Sequence, residues 1–165
     1  MATTNNIVIL TVHHSISGQV VLDQRLSDFM NDRQFLTMTL LKTQIARLND
    51  PSKVLEQHDE SVIPKNWAVV IFEPPQKETA AANRIYSYVP KRRQKVFLVM
   101  EGMEVRGMLH TAGELDLRRL LATTSDSFIP ITDAVVTLYD NDRFLIEQNA
   151  IMVNARLIRY IGTMS

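Results

Sequence analysis

Ser15-Ile16-Ser17-Gly18-Gln19-Val20 and Glu104-Val105-Arg106-Gly107-Met108-Leu109 superimpose when the chain is slid by 89 residues, which brings Gly18 onto Gly107. The same offset lays Ile7-Val8-Ile9-Leu10 on Val96-Phe97-Leu98-Val99. With a few inserted residues, Leu26-Ser27-Asp28-Phe29-Met30-Asn31 meets Leu117-Arg118-Arg119-Leu120-Leu121-Ala122, and Phe35 to Thr39 meets Phe128 to Thr132. At the end the 89-residue offset returns and sets Val62 to Ile71 on Ile151 to Tyr160. Identities are few, but four apolar patterns recur in one order with nearly one spacing, so the chain reads as a module written twice.

Inside each copy the dominant period is two, the mark of strands. Ile7, Ile9 and Thr11 alternate with Val8, Leu10 and Val12, all but one apolar, which predicts a first strand buried on both sides. A glycine inside a strand marks a bulge or a close backbone approach, so Gly18 and Gly107 are expected at the bend of a curled sheet. Leu26, Phe29 and Met30 have helical spacing behind a candidate cap at Asp23, and Leu117, Leu120 and Leu121 repeat this behind Asp116. Long strands are expected from Phe35 to Leu48 and Phe128 to Tyr139, then a return strand and a closing strand at Trp67 to Phe72 or Arg156 to Ile161. The fold expected is therefore mainly β with short helices. Five short strands cannot bury a flat sheet alone. Two tandem curled-sheet or barrel modules, paired about a pseudo-two-fold axis, would cover each other, with residues 1–72 as the first, 96–165 as the second and 73–95 as linker.

Of the 165 residues, 45% are hydrophobic and 22% charged, and 18 Lys+Arg balance 18 Asp+Glu. Such a chain can fold without staples. The absence of cysteine removes disulfides, thiol nucleophiles, iron–sulfur clusters and Cys-rich zinc sites, and points to the cytoplasm. No apolar run has the roughly 20 residues of a membrane helix, and the first residues lack a basic signal-peptide start. Zero net charge argues against a grip on nucleic acid by the whole chain. The charge is uneven, however: Glu73-Pro74-Pro75 opens a linker that ends in Lys91-Arg92-Arg93-Gln94-Lys95, whereas the second module has no lysine. Ile85-Tyr86-Ser87-Tyr88-Val89 is too apolar for a free tether and predicts an extra strand or a docked segment.

Catalytic motifs are missing from the sequence. There is no Gly-rich phosphate loop, no His-Glu-x-x-His and no Gly-x-Ser-x-Gly. His13 and His14, adjacent on a strand, would face opposite ways and could not share a metal; His58 and His110 stand alone. Asp133, Asp140 and Asp142 read as turn acids. An enzyme would need a deep pocket gathering His14 or His110 with acids. No cofactor or metal site is expected. What stands out instead is apolar: eight methionines, among them Met103 and Met108, and a single Trp67 beside a closing strand. They fill a core or anchor a protein interface. Lys91, Arg92, Arg93 and Lys95 are the candidate contacts for phosphate or nucleic acid.

The second copy resembles a bacterial family of small β modules with no function to carry over. The resemblance rests on Val105-Arg106-Gly107-Met108-Leu109, the Leu-rich turn, Phe128-Ile129-Pro130-Ile131-Thr132-Asp133-Ala134 and Val153-Asn154. It covers about residues 96–161; the first copy keeps Gly18, Leu26 to Asn31 and Phe35-Leu36. More distantly, the modules are similar to Sm-like or SH3-like barrels. That likeness implies ring assembly and RNA binding, although the RNA-site motifs are missing. The function expected is a non-enzymatic interaction or assembly protein acting through a protein partner or self-association, with Sm-like nucleic-acid binding as the alternative.

Overall fold

The computed structural model describes residues 1–74, 92–111, 116–123, 127–139 and 141–164. Most of the linker, with Lys91 and the Ile85 to Val89 segment, lies outside the described residues. The ten described strands are β1 (Thr3–Leu10), β2 (His14–Leu22), β3 (Thr37–Arg47), β4 (Asp50–Pro64), β5 (Val70–Phe72), β6 (Arg92–Met100), β7 (Met103–Thr111), β8 (Phe128–Leu138), β9 (Asn141–Asn154) and β10 (Ile158–Met164). Two short helices, α1 (Leu26–Asn31) and α2 (Leu117–Thr123), follow β2 and β7. A 3-10 turn precedes each closing strand, at Lys65–Trp67 and at Ala155–Leu157. The element order of the first half is thus met again in the second.

All ten strands join in one open antiparallel sheet, in the order β10-β6-β7-β8-β9-β5-β1-β2-β3-β4. The halves meet where β5 pairs with β9, Val70 opposite Val153 and Ile71 opposite Met152. This corrects the pseudo-two-fold expectation. A two-fold axis would pair like strand with like, whereas here the closing strand of one half meets the return strand of the other. The relation is head to tail, and among the described residues it leaves unlike strands, β4 and β10, at the two edges.

The sheet carries a core on each face. Val8 and Leu10 pack with Val70, Phe72, Val153 and the second half's Leu98, Val105, Ile131 and Val136, while Ile7 and Ile9 pack with Ile71, Met152, Val20, Met38 and Leu40. β1 is therefore buried on both sides, as its two apolar faces require. Each of the fully buried side chains among them, such as Ile9, Leu10 and Ile71, contributes about 1.5–3 kcal/mol relative to exposure.

Both halves bend at the same place. The β2–β3 register slips between Ser17 and Gln19, and the β7–β8 register between Arg106 and Met108. Opposite each slip one residue is left-handed, Lys42 (φ 51) in β3 and Asp133 (φ 48) in β8. These are bulges, and the facing glycines leave room for them. Asp133 thus works as a backbone corner, a conformation aspartate tolerates. At α1 the expected cap fails, since Arg25 occupies the cap position with no side-chain bond. At α2 it holds: Asp116 Oδ1 accepts from the Arg118 and Arg119 N–H groups at 3.1 and 3.2 Å.

Candidate functional site

Beyond the apolar cores shared by the halves, their junction is tied by backbone and asparagine hydrogen bonds. Asn154 donates through Nδ2 to the carbonyls of Ala68 (3.0 Å) and Asn66 (3.3 Å), its Oδ1 accepts from Arg156 N–H (3.1 Å), and its own N–H reaches Val69 O at 2.9 Å. Asn31, at the end of α1, grips Phe128 from both sides, donating to its carbonyl at 3.0 Å and accepting from its N–H at 2.8 Å. Both residues satisfy strand ends that would otherwise be orphaned.

Around the outer end of β4 apolar side chains face solvent. Trp67 is 66% exposed, Leu36 76% and Val62 60%, with Phe35 beside them. Lys65 fixes this corner: its stem is buried and its Nζ donates to the carbonyls of Phe29 and Asp32, over the Phe29 ring with the centroid 3.9 Å away. Burial holds the ammonium below its ordinary value of 10.5, partly offset by the Asp32 carboxylate. The unfolded chain therefore keeps this proton to higher pH than the folded chain. Between the two values raising the pH favours the fold. Lys65→Met is expected to flatten that rise, as denaturant titrations of both proteins between pH 8 and 10.5 would show.

The interface residues expected from sequence separate here. Trp67 is at the surface and Met108 is half-exposed on β7, but Met103 is 0% exposed inside the second core and has no surface to offer. Its neighbours on the same face of β7, Val105 and Leu109, are buried with it.

The basic residues also move. Arg92, Arg93 and Lys95 are exposed on β6, paired with β7, rather than on a connector. Val96, Leu98 and Met100 of β6 face the core, so Arg93 and Lys95 lie with Phe97 on the outer face and Arg92 on the other. Arg106, opposite Phe97, lies over its ring at 4.5 Å, and Tyr160 meets the same ring edge-on at 6.3 Å. Sequence reasoning missed Arg106 and Tyr160, although the β6 alternation combined with hairpin pairing would have found Arg106.

His13 falls in the β1–β2 turn rather than on a strand, and with His14, Arg47 and Asn49 it lines an open cleft of about 240 Å³. Among the described residues no acid lines this cleft. His110 bonds Thr132 Oγ1 at 2.6 Å. No cluster of three metal-ligating side chains occurs among the described residues, and no described helix is long and apolar enough to cross a membrane.

No protein-family model, curated protein or solved structure matches the chain.

Proposed function

We propose that the chain is a non-enzymatic assembly protein that works through protein contacts, built from a duplicated small-barrel module of Sm-like type. The observation that carries this reading is that Trp67, Leu36, Phe35 and Val62 are all exposed near the end of β4, which is an edge strand among the described residues. Single exposed apolar residues are ordinary, whereas a group of four next to open backbone donors and acceptors is a surface made to be covered. The repeated bulges and 3-10 turns support the duplication. Size-exclusion chromatography with light scattering tests the reading. An oligomer that persists in high salt is expected, with Trp67→Ser shifting it toward the 18.8 kDa single chain without lowering thermal stability. A strict monomer at every concentration would overturn it.

The outer face of β6 supports a second reading, nucleic-acid binding by Arg93, Lys95 and Arg106 beside Phe97 and Tyr160. Cations interleaved with aromatic rings suit a single strand, whose bases stack while its phosphates are neutralised. Absorbance at 260 nm that travels with the protein and is shed by salt would favour it.

A further inference from the structure

We infer that copies of this chain join head to tail, β4 of one pairing antiparallel with β10 of the next, in the register that β9 and β5 already show within the chain. The inference rests on the assembly reading and names its partner, a second copy.

The template lies within the chain itself. Within the chain, a return strand (β9) and a closing strand (β5) of different halves pair as Val153 with Val70 and Met152 with Ile71. The edges of the sheet among the described residues are the other return strand, β4, and the other closing strand, β10. The positions correspond through the 3-10 turns, Lys65–Trp67 and Ala155–Leu157, which lie at the same step in each half. Val62 then corresponds to Met152 and Ile63 to Val153. On the closing strands, Ile71 pairs with Ile9 and Ile161 with Leu98, the first-strand residues that pair with Ile16 and Val105. Ile161 thus corresponds to Ile71 and Tyr160 to Val70. The pairing between copies is Ile63 with Tyr160 and Val62 with Ile161, running on to Glu60 with Thr163 and Asp59 with Met164.

Three observations favour this occupant. Met152 is 8% exposed under β5, whereas Val62, at the corresponding place, is 60% exposed, and Tyr160 and Met164 are likewise half-open. The edges are unlike, and at one place their charges match: Lys95 of β6 is paired with Met164, which this register sets opposite Asp59 of β4, next to Glu60. Continuity is the third, because a heterologous contact that has been used once leaves its two complementary surfaces free to be used again. One difference weakens the contact between chains. Pro64 stands where Asn154 clamps the internal junction, so both a backbone donor and the side-chain clamp are missing there.

The chain has no cysteine, which makes the test clean. Val62→Cys and Ile161→Cys are prepared separately, mixed in equal amounts and oxidised mildly, since directly opposed Cα atoms on antiparallel strands lie within disulfide range. The mixture is expected to yield several-fold more covalent dimer than either variant alone. Equal cross-linking in all three samples, or more in a single variant, would overturn the inference. Val62→Pro is the companion. By its correspondence with Met152, two residues from Asn154, the Val62 N–H points away from β3, so the proline removes an edge donor and leaves the fold intact. Light scattering is expected to fall to one chain. If wild type remains an oligomer while the cysteine mixture gives no excess dimer, this pairing is overturned and the assembly reading survives. A wild-type monomer at all concentrations overturns both.

Discussion

Gly107→Ala is expected to destabilise the chain by about 3 kcal/mol, the upper end of the usual cost of overpacking. A Cβ built at Gly107 would sit 2.5 Å from Ile131 Cγ2, 2.8 Å from the Thr132 carbonyl oxygen and 3.3 Å from Ala134 Cα. Two of those three atoms are backbone of the bulged strand, so relief requires β8 itself to move. For a chain of this size the melting temperature should fall by roughly 6–12 °C. Gly18→Ala is the internal control. Its Cβ would meet Thr43 Cγ2 at 2.9 Å and the Leu41 carbonyl at 3.2 Å, contacts that a side-chain rotation partly relieves. The loss there should be about 1 kcal/mol. Calorimetry on the two variants checks the order; equal melting temperatures would show that the bulge does not need its facing glycine.

Asn154→Ala should cost about 2–3 kcal/mol, because it strands the buried carbonyl of Ala68, the Asn66 carbonyl and the Arg156 N–H at once. Asn154 is only 2% exposed, so water does not readily replace the lost partners. Asn154→Asp keeps the shape and the acceptor for Arg156 N–H, yet points a carboxylate at two carbonyl oxygens. It is expected to be at least as damaging near neutral pH, and urea unfolding of the two variants measures this. If Asn154→Ala melted like wild type, the junction would be held by its apolar and backbone contacts and the Asn31–Phe128 bonds without the Asn154 side chain.

Much of this architecture was legible in the sequence for physical reasons. Alternation placed β3 and β8 nearly correctly; it found only the apolar half of β1, which begins at Thr3 and ends at Leu10, yet the two apolar faces of that half announced that it would be covered on both sides. The glycines marked the bends because nothing larger fits them. Of the two roles open to Met103, core or interface, burial selects the core, as the alternation carried through Val105 and Leu109 requires. The 89-residue offset also fails after the bulges, since the two 3-10 turns correspond one residue further on, at Lys65 and Ala155. Which edges would pair left no mark in the sequence. Backbone donors and acceptors make that contact, and they are the same in every strand. The exposed corner at Leu36 and Val62 was hidden for the same reason: Val62 and Met152 are both ordinary strand apolars, and only the presence of β5 beside one of them separates buried from bare.

The two-sided burial of β1 makes it a party wall. Ile9 answers to one core and Leu10, the next residue, to the other, so a slip of one position would evict the tenants of both rooms together. The halves therefore share an alignment that neither can revise alone, and an insertion in β1 tolerable to one core is vetoed by its neighbour.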